Sequence, residues 1–364
     1  VAVLIITCPC ALGLAVPAAQ VVASGRLFRS GIMIKDGAAL EKLSGVDTVI
    51  FDKTGTLTKG QPQLVLPLMV STETLTLAAG LAQASKHPLS QALVREVARR
   101  GLAPASAGDV SEHPGLGLSG TCHGEALRLG SRAWCGLDEA TEDKGLLEFA
   151  FRRGGNAPVV FQFEDALRPD AAETVARLKA MGLAVHLLSG DREAAVKRVA
   201  EAVGIGTAVS RAGPQAKLAY VDALSKAGAR VLMVGDGIND APALAAGYTS
   251  MAPSSASDIG RTAAQIVWMG ESAAAVAEAV AVSRRTQRIA KENFALAVGY
   301  NVLAVPLAMV GLVSPLVAAV AMSTSSIIVI ANALRVGVGR TSTASSARLV
   351  QGSIAEADTL RDAA

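Results

Sequence analysis

Two stretches of this chain carry no charged residue, Val1 to Gly25 and Asn293 to Leu334. A helix that crosses a bilayer needs about 20 apolar residues. The first stretch supplies one span. The second supplies two, with Gly311-Leu-Val-Ser-Pro315 as a very short turn between them. From about Lys35 to Glu292 the composition is that of an ordinary water-facing chain. Only 18% of the 364 residues are charged, below the roughly 25% of soluble proteins, and the deficit lies in those two stretches. The pattern excludes an all-soluble fold, a disordered chain and a pure channel. It describes membrane spans around a large polar insert.

Basic residues mark the cytoplasmic side of a span. Arg26, Arg29 and Lys35 follow the first span, Arg284, Arg285, Arg288 and Lys291 precede the second, and Arg335 and Arg340 follow the third. All three clusters place the polar middle in the cytoplasm and the 311–315 turn outside. A lipid bilayer is the expected partner. A net charge of only +3 gives a nucleic-acid partner no global support, and none is expected. The four cysteines, Cys8, Cys10, Cys122 and Cys135, do not form a secreted disulfide framework. The chain begins at Val1 inside an apolar run, without the basic region of a signal peptide. It reads as a piece that starts partway through a span. The Ser/Thr/Ala-rich residues 337–364 read as a disordered cytoplasmic tail.

Polar residues at membrane depth are expensive and usually functional. The first span carries Cys8-Pro9-Cys10 and Pro17, the second Tyr300, Asn301 and Pro306, the third Met322, Ser323, Ser325, Ser326 and Asn332. A proline inside a helix frees a carbonyl, tolerable in a membrane only where packed or lining a cavity. Two thiolates on either side of such a proline can converge on one ion. Thiolate and thioether are soft ligands that favour Cu(I). The blander readings are a packing role for Met322 and helix–helix contacts for Tyr300 and Asn301.

In the polar middle, Val46 to Phe51 is a short apolar run that reads as a buried strand ending at Asp52-Lys-Thr-Gly-Thr-Leu-Thr58. Ala184 to Leu188 leads to Ser189-Gly190-Asp191, and Arg230 to Val234 leads to Gly235-Asp236-Gly237-Ile-Asn239-Asp240. Helical patterns at Asp170–Met181 and Arg192–Val203 intervene, and such alternation means a parallel sheet. Ligands of such sheets bind beyond the strand carboxyl ends, so Asp52, Ser189, Lys217, Asp236 and Asp240 should share one rim. A carboxylate can attack the terminal phosphate of ATP and hold it as an acyl phosphate. Asp52 is the candidate nucleophile. Mg²⁺ would be held by Asp52, Thr54 and Asp236. The hydroxyls of Thr54 and Ser189 and the ammonium of Lys217 would take phosphate oxygens. Lys53, Asn239 and Asp240 complete the expected catalytic set. A helix over Gly25–Ser44 would connect the first span to this site.

Asp52-Lys-Thr-Gly-Thr-Leu-Thr58 together with Gly235-Asp-Gly-Ile-Asn-Asp240 resembles the P-type ATPases, and Cys8-Pro9-Cys10 resembles their heavy-metal branch. Ser85-Lys-His87-Pro88-Leu89 and Gly115-Leu-Gly117 resemble that branch's nucleotide-domain motifs. Tyr300-Asn301 and Met322 to Ser326 resemble the membrane pattern of its copper(I) members. The resemblance implies membrane α-helical spans plus cytoplasmic α/β, that is, a haloacid-dehalogenase-like phosphorylation domain with an inserted α+β nucleotide-binding domain. The implied layout is a first span over 1–28, a linker helix and the start of the phosphorylation domain over 29–60, and a nucleotide domain over 61–164. The rest of the phosphorylation domain follows over 165–275, then a membrane hairpin over 276–336. It further implies ATP held by His87, Pro88, Gly115, Gly117, Gly130 and Asp191. Cu(I) would be carried on Cys8, Cys10, Tyr300, Asn301, Met322 and Ser326. The activity implied is ATP-driven Cu(I) export in a bacterial inner membrane, with delivery by a copper chaperone. An actuator domain and earlier spans would precede Val1.

The chain departs from the commoner copper-pump pattern in three places. Lys86 stands where Glu is usual, Ser131 where Asn is usual, and Met251 to Arg261 replaces a Gly-rich run. This texture resembles a sub-branch that supplies copper for cbb3-type cytochrome oxidase assembly. Three other functions compete. A membrane-tethered phosphotransferase of the same architecture would use Asp52 and not the cysteines, but Thr54 stands where such enzymes carry a second Asp. A copper-binding module without catalysis would leave the Asp52 motif unexplained. A zinc or cadmium pump would usually place charged ligands in the later spans, and 293–334 holds none.

Overall fold

A computed structural model describes residues 2–7, 10–65, 70–138 and 146–337. Cys8 therefore lies outside the described residues, as do 338–364. Cys10 is described only as the first residue of a helix. The chain opens with α1 (Ala2–Ile6) and α2 (Cys10–Arg29) and then turns into β1 (Ile32–Ile34) and α3 (Gly37–Ser44). The helix expected over Gly25–Ser44 is thus broken in the middle. Gly31 takes a positive φ of 74°, and the β-branched Ile32 and Ile34 zip antiparallel onto a strand at the far end of the domain. Asp36 then restarts the helix by accepting a hydrogen bond from the Ala38 amide.

Next come β2 (Thr48–Asp52) and, after the turn 53–57, β3 (Thr58–Val65). The inserted segment holds α4 (Thr72–Ala82), α5 (Pro88–Arg99), β4 (Gly108–His113), β5 (Gly117–Cys122), β6 (Glu125–Gly130), β7 (Leu147–Arg153) and β8 (Val159–Leu167). The chain returns through α6 (Ala171–Ala180), β9 (Ala184–Leu188), α7 (Glu193–Val203), β10 (Thr207–Val209) and α8 (Pro214–Lys226). It continues with β11 (Val231–Val234), α9 (Ala241–Ala246), β12 (Thr249–Pro253), α10 (Asp258–Ala263) and β13 (Ile266–Trp268). It ends with α11 (Ala274–Met309) and α12 (Pro315–Leu334).

Among the described residues the strands form two sheets. One has seven strands in the order β1-β13-β12-β11-β2-β9-β10, all parallel except the β1–β13 pair. Every residue of β2, β11, β12 and β13 is buried. That is the reason β11 and β13 are wholly apolar and β2 is apolar from Val49 to Phe51, since helices cover both faces of a parallel sheet. The other sheet is antiparallel, β3-β8-β7-β6-β5-β4, and β5 alternates buried and half-buried residues as a one-sided sheet should. The two sheets have separate cores, one around Phe51, Trp268 and Leu27, the other around Phe161, Phe163 and Leu75.

Among the described residues, three stretches are long and apolar enough to cross a membrane: Val3–Arg29, which holds α2 and all of α1 but Ala2, Ala274–Met309 and Pro315–Leu334. α11 is 36 residues long, about 54 Å at the usual rise. Its charged first half packs on the parallel-sheet domain and its apolar second half pairs with α2 and α12. Asn293 sits at the join and is fully buried. It donates to the Ala15 carbonyl of α2 at 3.2 Å and accepts from Asn332 of α12 at 2.8 Å.

Candidate active site

The order of the parallel sheet decides where chemistry can occur. From β2 the chain moves outward to β9 and β10, then crosses back to lay β11 on the other side of β2. The crevice beyond the β2 and β11 carboxyl ends is the switch point at which ligands of such sheets bind. Asp52 ends β2, and Asp236 and Asp240 lie in the loop after β11. One carboxylate oxygen from each of the three falls within 4.8 Å of the others, and all three residues are buried. Lys217, from α8, is 3% exposed and donates to Asp52 Oδ1 at 2.5 Å. Ser189, at the end of β9, is buried and its Oγ accepts from the Asp191 amide. The five residues expected at one rim are therefore all placed at the ends of three adjacent strands or on the helix facing them.

The backbone around the carboxylates is held closely. Asp236 Oδ1 accepts from the Ile238 amide at 3.0 Å and Asp240 Oδ1 from the Gly237 amide at 2.8 Å. Gly55 takes a φ of 69°, and a Cβ there would stand 2.8 Å from Asp236 Oδ2. Only glycine lets the 53–57 turn pass this close to a second carboxylate.

Charge balance follows from these distances. Burial pushes the Asp52 carboxyl up to about 6 against the pull of Lys217, and Asp240 adds to the rise. Burial likewise pushes Asp240 up to about 6, with Asp236 adding to it. Asp236 is raised by burial, and further by Asp52. Three carboxylates and one ammonium leave net negative charge in a low-dielectric crevice. Asp240 Oδ2 is buried without a hydrogen-bond partner. Hard oxygen donors with an unused lone pair and excess negative charge fit a hard divalent cation such as Mg²⁺.

The remaining expected residues fall less centrally. Lys53 is buried and forms an ion pair with Asp191, so the Asp191 carboxylate is directed at Lys53. Thr54 and Asn239 are exposed on their loops. In the antiparallel sheet, His87 caps α5, with Nδ1 accepting from the Leu89 amide at 3.2 Å, and Pro88 is the first helical residue. Burial lowers the His87 pKa, so the ring is neutral at pH 7 and Nε2 keeps the proton. The ring stacks on Phe149 of β7 at 5.2 Å. The next residue, Ala150, pairs with Gly130 of β6, which pairs with Gly117 of β5. A single transverse row thus joins the glycines to the strand that carries Phe149. Gly117 and Gly130 face each other so closely that a Cβ on either would lie 2.6 Å from the other's Cα. Gly115, in the turn before β5, has a φ of 77°. In the apolar helices, Tyr300 and Asn301 lie on α11 and Met322 and Ser326 on α12, where the Ser326 hydroxyl donates to the Met322 carbonyl. The Tyr300 hydroxyl and Asn301 Oδ1 are buried without a partner.

Sequence reasoning missed Arg168 and Asp165. Arg168 is 4% exposed and donates to the Thr56 and Gly55 carbonyls at 2.8 and 2.9 Å, holding the turn after Asp52. Asp165 accepts from Thr58 Oγ1 at 2.5 Å and from the Gln61 amide. The one signal was three charges, Glu164 and Asp165 near the end of a mostly apolar strand and Arg168 just beyond it. Glu112 was also missed. Ser85 donates to it at 2.9 Å, which brings a carboxylate to the His87 end of the sheet although Lys86 supplies none.

Residues 46–247 match the family model described as haloacid dehalogenase-like hydrolase. Over 344 residues the chain is 53% identical to the nitrogen fixation protein FixI of Rhizobium leguminosarum bv. viciae, covering 93% of this chain and 45% of that protein. It is 38% identical over 348 residues to a copper-exporting P-type ATPase of Mycobacterium tuberculosis, covering 92% and 45%. Among solved structures, a zinc-transporting PIB-type ATPase in its E2.Pi state superposes with a TM-score of 0.79 at 32% identity, covering 91% of this chain and 56% of that one. The chain spans about half the length of the curated relatives it matches. It belongs to the haloacid dehalogenase-like hydrolases, and its homologues within them are the heavy-metal P-type ATPases.

Proposed function

We propose that the chain is the catalytic and cargo-binding half of an ATP-driven heavy-metal pump whose cargo is Cu(I). One observation carries this reading. A buried carboxylate, Asp52, is held by Lys217 beside Asp236 and Asp240 at a sheet crevice, in the same chain as three helices long enough to span a membrane.

The chemistry follows from the arrangement. An oxygen of Asp52 attacks the terminal phosphorus of ATP, the bond from that phosphorus to the bridging oxygen breaks, and ADP leaves with that oxygen. Water later cleaves the acyl phosphate and phosphate departs. Lys217 holds the nucleophile and neutralises charge gathering on the transferred group. Mg²⁺ bound by Asp52, Asp236 and Thr54 would offset the repulsion between carboxylate and phosphate. The Gly55 turn brings backbone close to the phosphate. His87, with its neutral ring on Phe149, Pro88 and the row through Gly117 and Gly130 would hold the nucleotide.

Outward movement of one positive charge works against about 2.3 kcal/mol per 100 mV of membrane potential, so coupling to ATP has a purpose. Cys8, Cys10, Met322, Tyr300, Asn301 and Ser326 are the proposed ligands for the ion. The solved zinc-transporting neighbour argues for Zn²⁺, but the absence of charge over 293–334 favours a soft monovalent ion. Placement in a bacterial inner membrane, a chaperone donor and a role in cbb3-type oxidase assembly go with this reading.

The test is phosphoenzyme formation by the full-length protein, with γ-labelled ATP, Mg²⁺ and Cu(I), Ag(I) or Zn(II) in turn. Hydroxylamine-sensitive label that needs Cu(I) and Asp52, and is lost in Cys8→Ala, is the expected result. Label independent of metal and of Cys8 would sink the pump and leave a phosphotransferase. Label driven by Zn(II) alone would keep the pump and change its cargo.

A further inference from the structure

The tripeptide Arg168-Pro169-Asp170 lies where β8 hands the chain back to the parallel-sheet domain. Its two charged side chains reach different parts of the molecule. Arg168 is buried and spans three carbonyls. Two of these, Gly55 and Thr56, belong to the turn that follows the nucleophile, and the third is Glu271, three residues before α11. Asp170 takes the beginning of α11 itself. Its Oδ2 accepts from Ser272 Oγ at 2.5 Å and from the Ala274 amide at 2.8 Å, and its Oδ1 from the Ala273 amide at 3.2 Å.

Three features make this more than ordinary packing. The residue that should cap α11 is Ala273, whose side chain cannot. The cap comes instead from Asp170, over one hundred residues earlier, and its negative charge faces the positive end of a long helix dipole. Pro169 fixes its own φ and biases Arg168 to an extended backbone, so the distance between the two grips is set rigidly. And α11 runs unbroken from this cap to Tyr300 and Asn301, about 40 Å away.

We propose that Arg168 and Asp170 form a clip that fastens the phosphorylation turn to the first turn of α11. Both are positioning residues, and the clip is the route by which occupancy of the membrane site and phosphorylation of Asp52 influence each other. The proposal rests on the pump reading above. A buried guanidinium with three carbonyl partners cannot slide by a fraction of a bond, so a shift of the 53–57 turn must be followed by the start of α11 or must break the clip. A two-position element biased from both ends is what coupling between distant sites requires.

The experiment uses the full-length protein in membranes and reads two quantities. One is the ratio of label with Cu(I) to label with a Cu(I) chelator. The other is the ATP concentration that half-saturates labelling. Asp170→Ala should still label Asp52, with half-saturation within about twofold of wild type, while the Cu(I) ratio falls to near one. Arg168→Lys, which keeps the charge but not the three-way geometry, should slow labelling about tenfold at saturating ATP. If Asp170→Ala is degraded in the cell, Ser272→Ala, which removes one bond of the clip, is judged by the same ratio. Full Cu(I) stimulation in the variant judged would overturn the clip. A wild-type protein without Asp52-dependent label would overturn the pump reading and the clip with it. Ion-stimulated wild-type label beside an unaltered variant overturns the clip alone.

Discussion

The two sheets of this protein use buried space in opposite ways. The parallel sheet concentrates charge: Asp52, Asp236, Asp240 and Lys217 all lie buried at its switch crevice. The antiparallel sheet has a mainly apolar core and presents a neutral ring on an aromatic face and a floor of paired glycines. The first arrangement is costly to fold, because like charges gather away from water. Its use is to act on charge that develops during reaction. The second is inexpensive and gives shape. Under the proposed function, gripping a nucleotide and cutting it would fall to separate cores.

Asp52→Asn should separate the two sheets most strongly. Phosphoenzyme should fall by at least about a thousandfold, while ATP binding measured by calorimetry on the full-length protein stays within about twofold. Loss of both together would show that the two sheets do not divide the work. Lys217→Ala should lower labelling about a hundredfold or more. It should also destabilise the fold by about 3–5 kcal/mol, because it leaves the Asp52 carboxylate buried without its partner. Thermal unfolding and label yield read the two effects.

Proton concentration gives a test without mutation. Asp52 and Asp240 are both pushed up to about 6, so the nucleophile loses its charge below that pH. Labelling should fall about tenfold per pH unit below 6. Stability moves the other way. A carboxyl whose folded pKa is raised binds protons more tightly when folded, so its penalty is present above about 6 and is relieved as the pH falls through it. Mg²⁺ should accordingly raise the melting temperature more at pH 7.5 than at pH 5.5. An equal rise at both would remove the carboxylates as the reason. The smallest expected effect belongs to the antiparallel sheet. His87→Ala removes one cap and one stacked ring, together worth about 1–2 kcal/mol. It should raise the half-saturating ATP about tenfold and leave maximal labelling unchanged.

The parallel sheet was much the more legible of the two from sequence. β2 and β11 announce themselves as short apolar runs that end in Asp52 and Gly235, because strands covered on both faces have no polar alternation to hide in, while the partly exposed β9 is an apolar run interrupted by His186 before Ser189. The break between α2 and α3 was not legible. Residues 25–44 have a helical composition, and Ile32–Ile34 becomes a strand only because Ile266–Trp268 offers it an edge. Arg168 was passed over for a related reason. Its partners at Gly55, Thr56 and Glu271 are backbone carbonyls more than one hundred residues away, and a carbonyl has no letter in the sequence.

From sequence alone came three stretches apolar and long enough to span a membrane, the basic clusters beside them, Asp52 and the strand that carries it. Each of these depends on local matters: an unbroken apolar length, a count of basic flanking residues, a strand followed by a glycine turn. Tertiary structure alone decided the rest. It set the strand order that brings Asp236 and Asp240 to Asp52, and it gave the start of α11 to Asp170. It also placed Asn293 between Ala15 and Asn332, where α2, α11 and α12 meet. These are pairings across long chain separations. They are selected by which surfaces can be buried together and which polar groups must then find partners, and no window of neighbouring residues contains that information.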